Sequence, residues 1–169
     1  MDGADITSLI LDDHDWFRRQ FARLDDARGS AELAEVWGPL AARLDTHAEA
    51  EELIFYPELL KRGADDPDEE TDDAIRDHNK IRDAVADASR HEIGTDEWWE
   101  AVGRARHENT EHMGEEEDEG LADFRNHASA ELRATLAARW VDFYAAHPHG
   151  SGIDTRDRDP QAYIEENRG

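Results

Sequence analysis

Apolar side chains recur every three or four residues through four successive stretches of this chain, and each stretch places a histidine on that stripe. Ile10, His14, Phe17, Phe21 and Leu24 form the first, at alternating spacings of four and three. Leu40, Leu44, His47, Glu51 and Ile54 repeat the spacing, as do Ala74, His78, Ile81, Val85 and Ala88. Trp98, Val102, Ala105, Asn109, His112 and Glu116 complete the set. Such spacing tracks the helical period and lines each set up on one face. Strand-type alternation is almost absent, so the chain is expected to be all-α.

Breaks between the stripes divide the chain. The first helix is expected over about residues 6–27, with Arg28-Gly29-Ser30 ending it and Ser30 capping the next. The second runs over about residues 31–62, with a kink or restart at Gly38-Pro39 and a disturbance at Pro57. An acidic loop of residues 63–70 precedes the third helix, about 71–91, and Thr95 can cap the fourth, about 96–119, which Gly120 ends. A fifth amphipathic helix, about 129–146, offers Leu132, Leu136, Trp140 and Phe143. Short connections between long helices predict an up-down-up-down four-helix bundle with the fifth helix appended. Residues 1–146 then form one domain, and residues 147–169 a polar, acidic tail, flexible or draped on the surface.

Two of the stripe histidines belong to the same local motif, His-x-x-x-Glu, as His47/Glu51 and His112/Glu116. Positions four apart stack one turn apart on a helix, so each pair can address one point. His14 and His78 fall early in the odd helices, and the two motifs late in the even ones. Antiparallel helices demand that arrangement if the six are to meet at one level. A single histidine on an apolar face is commonly just a satisfied core residue. Four of them, joined by two glutamates that would otherwise be buried without partners, are costly in an interior lacking metal. Imidazole with carboxylate suits iron, manganese or zinc. His14, His47, Glu51, His78, His112 and Glu116 are therefore the expected metal ligands, and the set is sized for two ions.

Other spacings carry less. His107/Glu111 also reads His-x-x-x-Glu, but His107 lies about 140° around the helix from His112 and leaves the stripe. The run from His107 to His112 misses the zinc-protease pattern by one residue, and no histidine has the Glu three residues before it that ferritin-like di-iron sites use. His91, His127, His147 and His149 fall at helix ends or in the tail and are expected to be solvated.

Composition narrows the partners. The chain has no cysteine, which removes disulfides, thiolate metal sites and a cysteine nucleophile. A net charge of −24, with Lys61 and Lys80 the only lysines, repels nucleic acid and anionic lipid, so neither is an expected partner. The acid is spread along the chain, which fits adaptation to high salt better than a cation store. No apolar run reaches spanning length and the start, Met-Asp-Gly-Ala-Asp, lacks a secretory signal, so a cytoplasmic protein is expected. Trp99 is a candidate for the face of a homodimer.

Over about residues 6–124 the chain resembles the hemerythrin-like, or HHE cation-binding, family. The likeness rests on Asp13-His14 followed by Phe17 and Phe21, and on His47 with Glu51-Glu52-Leu53-Ile54-Phe55-Tyr56-Pro57. Asp77-His78-Asn79-Lys80-Ile81-Arg82 and His112 with Glu116-Glu117 complete it. The resemblance implies a four-helix bundle holding a non-haem di-iron centre on the six residues named above, with manganese or zinc as substitutes. It also implies dioxygen, nitric oxide or peroxide as the small ligand, for sensing, scavenging or storage. Oxygen-carrying members place a second histidine four residues after the one on the third helix, where this chain has Arg82, and end the fourth motif with an Asp five residues after its histidine, where this chain has Glu117. The alternatives are a di-iron oxidase or peroxidase, an iron-handling protein, and a metal-free bundle whose histidines are held by hydrogen bonds.

Overall fold

In a computed structural model, which describes residues 4–169, the chain forms eight α-helices and, among those residues, no strand. These are α1 (Ile6–Asp26), α2 (Gly29–Ala50), α3 (Tyr56–Arg62), α4 (Pro67–Ala88), α5 (Asp96–Asp118), α6 (Gly120–His127), α7 (Ala130–Ala146) and α8 (Pro160–Asn167). A π-helical turn, Glu51–Phe55, joins α2 to α3 without a break. None of these helices is long and apolar enough to cross a membrane.

Local chemistry explains most of the ends. Asp5 accepts from the Thr7 amide at 2.8 Å and starts α1, and Thr95 and Ser129 cap α5 and α7 in the same way. Ser30 does not cap α2. The helix begins at Gly29, with Ser30 already inside its first turn, and Glu32 reaches back to the Arg28 amide at 2.7 Å. Pro39 lies inside α2 without ending it; the proline is on the exposed face, where the carbonyl it frees at Glu35 is open to water. Helix α4 starts at Pro67, earlier than its stripe indicates, because proline suits the first helical position. The preceding loop shrinks to residues 63–66. Buried Asp123 clasps it by accepting from the Ala64 and Asp65 amides at 2.9 and 3.1 Å.

Two apolar clusters fill the interior, and the order in which each helix meets them alternates. Helix α1 puts Ile6 and Ile10 in one cluster, then Phe17, Phe21 and Leu24 in the other. Helix α2 enters the second cluster first, with Leu33 to Leu44, and reaches the first at Ala50 and Ile54 of the π turn. Helix α4 goes from Ala74 and Ile75 in the first to Ile81 and Val85 in the second. Helix α5 starts in the second at Trp98 and hands over to Leu121 and Phe124 of α6 in the first. The histidine of every stripe falls at the changeover. A polar layer is thus sealed between two apolar ones.

Helices α6, α7 and α8 close the first cluster. Phe124 is fully buried against Phe55, with ring centres 5.2 Å apart, and Leu136 and Trp140 of α7 and Tyr163 and Ile164 of α8 are buried in the same cluster. Residues 147–169 follow a short 3-10 turn, Pro148–Gly150, run extended, and end in α8, which packs on α4.

Candidate metal centre

His14, His47, His78 and His112 are all at most 4 % exposed, and Glu51 and Glu116 are as deeply buried. Their positions in the changeover layer turn every Nε2 atom inward. His47 Nε2 lies 3.3 Å from Glu51 Oε1, and His78 Nε2 and His112 Nε2 lie 3.1 and 3.5 Å from the same oxygen. His14 Nε2 is 3.0 Å from Glu116 Oε1, and His112 Nε2 is 3.3 Å from Glu116 Oε2. The six residues named by the stripes therefore converge on one small volume. Within it, His14, His47, Glu51 and Glu116 form one group whose donor atoms all lie within 4.8 Å of one another, and Glu51, His78 and His112 form a second. Glu51 belongs to both.

Each histidine is oriented from outside by a carboxylate on a neighbouring helix. Asp13 of α1 faces His47 Nδ1 at 2.9 Å, and Glu52 of the π turn faces His78 Nδ1 at 2.6 Å. Asp77 of α4 lies 3.5 Å from His112 Nδ1, and Glu117 of α5 lies 2.7 Å from His14 Nδ1. A carboxylate can only accept, so it fixes the proton on Nδ1 and leaves the Nε2 lone pair facing the interior. The four contacts close into a ring, each helix aligning the next helix's histidine. Sequence reasoning missed these roles, although the signal was present. Every orienting acid sits one residue from an inward ligand candidate, as Asp13-His14, Glu51-Glu52, Asp77-His78 and Glu116-Glu117.

The donor set fits a metal. Among the buried side-chain atoms with no hydrogen-bond partner are His14 Nε2, His47 Nε2, Glu51 Oε2 and Glu116 Oε1, all in this layer. Leaving each so costs about 1–3 kcal/mol, which a bound cation would recover. The electrostatics agree. Burial opposes charge on His47, yet the carboxylates of Glu51 and Asp13 outweigh it and lift its pKa to about 10. Burial likewise disfavours charge on Glu51, but His47, His112 and His78 hold it well below the usual carboxylate range. The carboxylates thus favour positive charge in a buried layer, as a cation site requires.

Several neighbours complete the picture. Phe17, Leu44, Ile54 and Ile81, the stripe neighbours of the inward residues, are all buried, and Phe17 and Trp140 set their rings 5.2 and 5.4 Å from His47. The Tyr56 hydroxyl donates to Glu116 Oε2; burial, then Glu116 and Glu51, push its pKa well up, so it keeps its proton. Arg82, which stands where oxygen carriers have a histidine, is buried but turns to Glu52, its Nη2 2.8 Å from Oε2. His107 is exposed and outside the layer. An Asp65, Asp123 and His127 group also gathers, with Asp65 and His127 exposed and buried Asp123 occupied with the loop amides.

The model of the hemerythrin HHE cation-binding domain matches residues 5–131. The chain belongs to the hemerythrin family. That match spans all six inward residues and all four acids that orient the histidines, so the geometry and the family point to the same layer. No curated protein and no solved structure matches the chain. Within the matched hemerythrin HHE domain, the chain is a helical bundle with a His/Glu cluster that is a candidate metal site.

Proposed function

We propose that this hemerythrin-family protein holds two non-haem iron ions and binds dioxygen or a related small molecule, nitric oxide or peroxide, for sensing, scavenging or storage. The observation that carries the reading is the set of four inward Nε2 atoms, each backed by an orienting acid and gathered around Glu51 and Glu116, whose Oε2 and Oε1 atoms respectively have no hydrogen-bond partner. His14 and His47 would hold one ion and His78 and His112 the other, with Glu51 and Glu116 between them. Neutral imidazole and carboxylate suit iron, with manganese or zinc as substitutes. The alternating order of the two apolar clusters along α1, α2, α4 and α5 supports an up-down-up-down bundle, with α7 as the appended helix. We take the protein to be cytoplasmic and its acidic surface to suit high salt.

When bound, a pair of irons supplies redox-active, Lewis-acidic centres able to bind small oxygen- or nitrogen-containing ligands. The residues do the rest. Asp13, Glu52, Asp77 and Glu117 keep the Nδ1 protons in place. Phe17, Trp140 and the flanking clusters exclude bulk water. Tyr56 holds its proton on the hydroxyl facing Glu116 and can offer a hydrogen bond in the layer. A cavity of about 10 Å³, touching Tyr56, His112 and Glu116, opens beside the site. That is room for about one water-sized molecule, which favours a small ligand over an organic substrate.

Air exposure of protein loaded anaerobically with iron tests the ligand. A new visible absorption that saturates with one small molecule per site supports binding. Continuous consumption of oxygen or peroxide in the presence of a reductant would instead make the protein an oxidase or peroxidase. No change in the spectrum, or the same change in the His112→Ala/Glu116→Ala double variant, overturns the proposal.

A further inference from the structure

The tail beyond α7 reaches the metal layer through one residue. Arg158 lies on the extended run before α8, and its Nη1 stands 2.6 Å from Glu52 Oε1. Its Nη2 forks onto Glu49, at 2.9 and 2.7 Å from the two oxygens. Glu52 is 1 % exposed, and its other oxygen is the one that faces His78 Nδ1 and Arg82. The backbone of Arg158 is fixed just as tightly. Its amide donates to Asn79 Oδ1 at 3.0 Å and its carbonyl accepts from Asn79 Nδ2 at 2.7 Å, beside His78 in sequence. Tyr163 of α8, also buried, donates its hydroxyl to the Glu52 carbonyl at 2.5 Å.

Glu52 is therefore gripped from both sides, by α4 through Arg82 and by the tail through Arg158, while it aligns an inward histidine. Neither grip uses a residue that faces the metal. Arg156, two residues away, pairs among the described residues only with Asp154, on the surface. We propose that Arg158 is a positioning residue for the metal centre, and that the tail is a strap whose docking holds the Glu52–His78 pair and keeps water from that side of the site. The inference rests on the reading of the layer as a metal centre. It gives the tail a function that its polar composition conceals, and it couples two events: metal binding and tail docking must favour each other by the same factor.

The test uses the full chain loaded with ferrous iron under nitrogen and then challenged with a strong chelator. Arg158→Gln is expected to release iron at least about tenfold faster than the unaltered protein, the usual scale for losing a group that orients a metal ligand. Arg158→Lys, which keeps the charge but loses the fork, should fall between the two, and Arg156→Gln should match the unaltered protein. Hydrogen exchange supplies a second readout, because the Arg158 amide and the amides of α8 should be more protected in iron-loaded than in iron-free protein. That difference should vanish in Arg158→Gln. If Arg158→Gln does not fold, Arg158→Lys carries the comparison. Equal iron release by the unaltered protein and the Arg158 variants, with tail protection indifferent to iron, overturns the strap while leaving the metal centre standing. An unaltered protein that takes up no iron overturns both.

Discussion

Asp13 accepts from three groups at once, His47 Nδ1, the Arg43 guanidinium at 2.6 Å and the Tyr144 hydroxyl at 2.7 Å. Such a residue acts on the metal layer without touching it. Asp13→Asn keeps the size but offers an amide that can donate toward Nδ1, which would move the imidazole proton to Nε2, facing the site. Metal affinity is expected to fall about 10–100-fold, read by titration against a competing chelator; an unchanged affinity would contradict the role given to the ring of acids. The six inward residues were legible in the sequence because a charged or polar residue on an apolar stripe stands out. The four orienting acids were not, because they sit one position off the stripe in a chain with 43 Asp and Glu, where adjacency to an inward residue is an easily overlooked signal. Glu70 shows a different consequence of that acidity. Burial, then Asp123, Glu119, Asp65 and Asp66, lift its pKa to about 8. The folded value lies above the unfolded one near 4.5, so its contribution to stability is full below about pH 4.5 and is lost as pH rises through about 8. Glu70→Gln should therefore melt higher than the unaltered protein at pH 9, and their melting temperatures should converge near pH 5. A variant that melts lower at pH 9 would refute this.

At the scale of the helix, the π turn between α2 and α3 sets the direction of two adjacent carboxylates. Its first two residues, Glu51 and Glu52, are both buried, Glu51 among His47, His78 and His112 and Glu52 against His78 Nδ1. Pro57 has no amide hydrogen to return to Leu53, and the wider turn absorbs that loss while aiming Glu51 at the centre and Glu52 at His78. Leu53, in the middle of the turn, is 47 % exposed, so its removal leaves no hole in the core. Deleting Leu53 should restore α-helical winding, preserve helical circular dichroism and abolish iron binding at the Glu51 positions. Retention of both irons would show that the turn is incidental. The sequence marked this place as a disturbance at Pro57, since proline is a local signal, but a π turn has no signature of its own. Helix α6 was also invisible, because Gly120 reads as a stop, whereas it here permits an immediate restart that buries Leu121 and Phe124.

Across the whole molecule, helical content and the location of the layer follow from periodicity, which survives any error in helix ends. The docking of residues 147–169 does not, because a polar segment held by Arg158, Asn79 and Tyr163 looks like any solvated tail until its partners are seen. Surface charge is the other property of this scale. A net charge of −24 repels itself, and the distance over which it does so shrinks from about 10 Å at 0.1 M salt to about 3 Å at 1 M. Raising potassium chloride from 0.1 to 2 M should raise the melting temperature by at least about 2–4 °C, the shift that ~1 kcal/mol gives in a chain of this size. A fall would mean that the ion pairs between helices outweigh the self-repulsion. The central claim, that the layer between the two apolar clusters is a dinuclear metal centre, is tested most directly by counting metal. Protein loaded anaerobically with ferrous iron and freed of excess should retain about two irons per chain, a count set by two histidine pairs sharing two glutamates; His112→Ala/Glu116→Ala should lose them. Retention of no iron by the unaltered protein, or of full iron by the double variant, would contradict it.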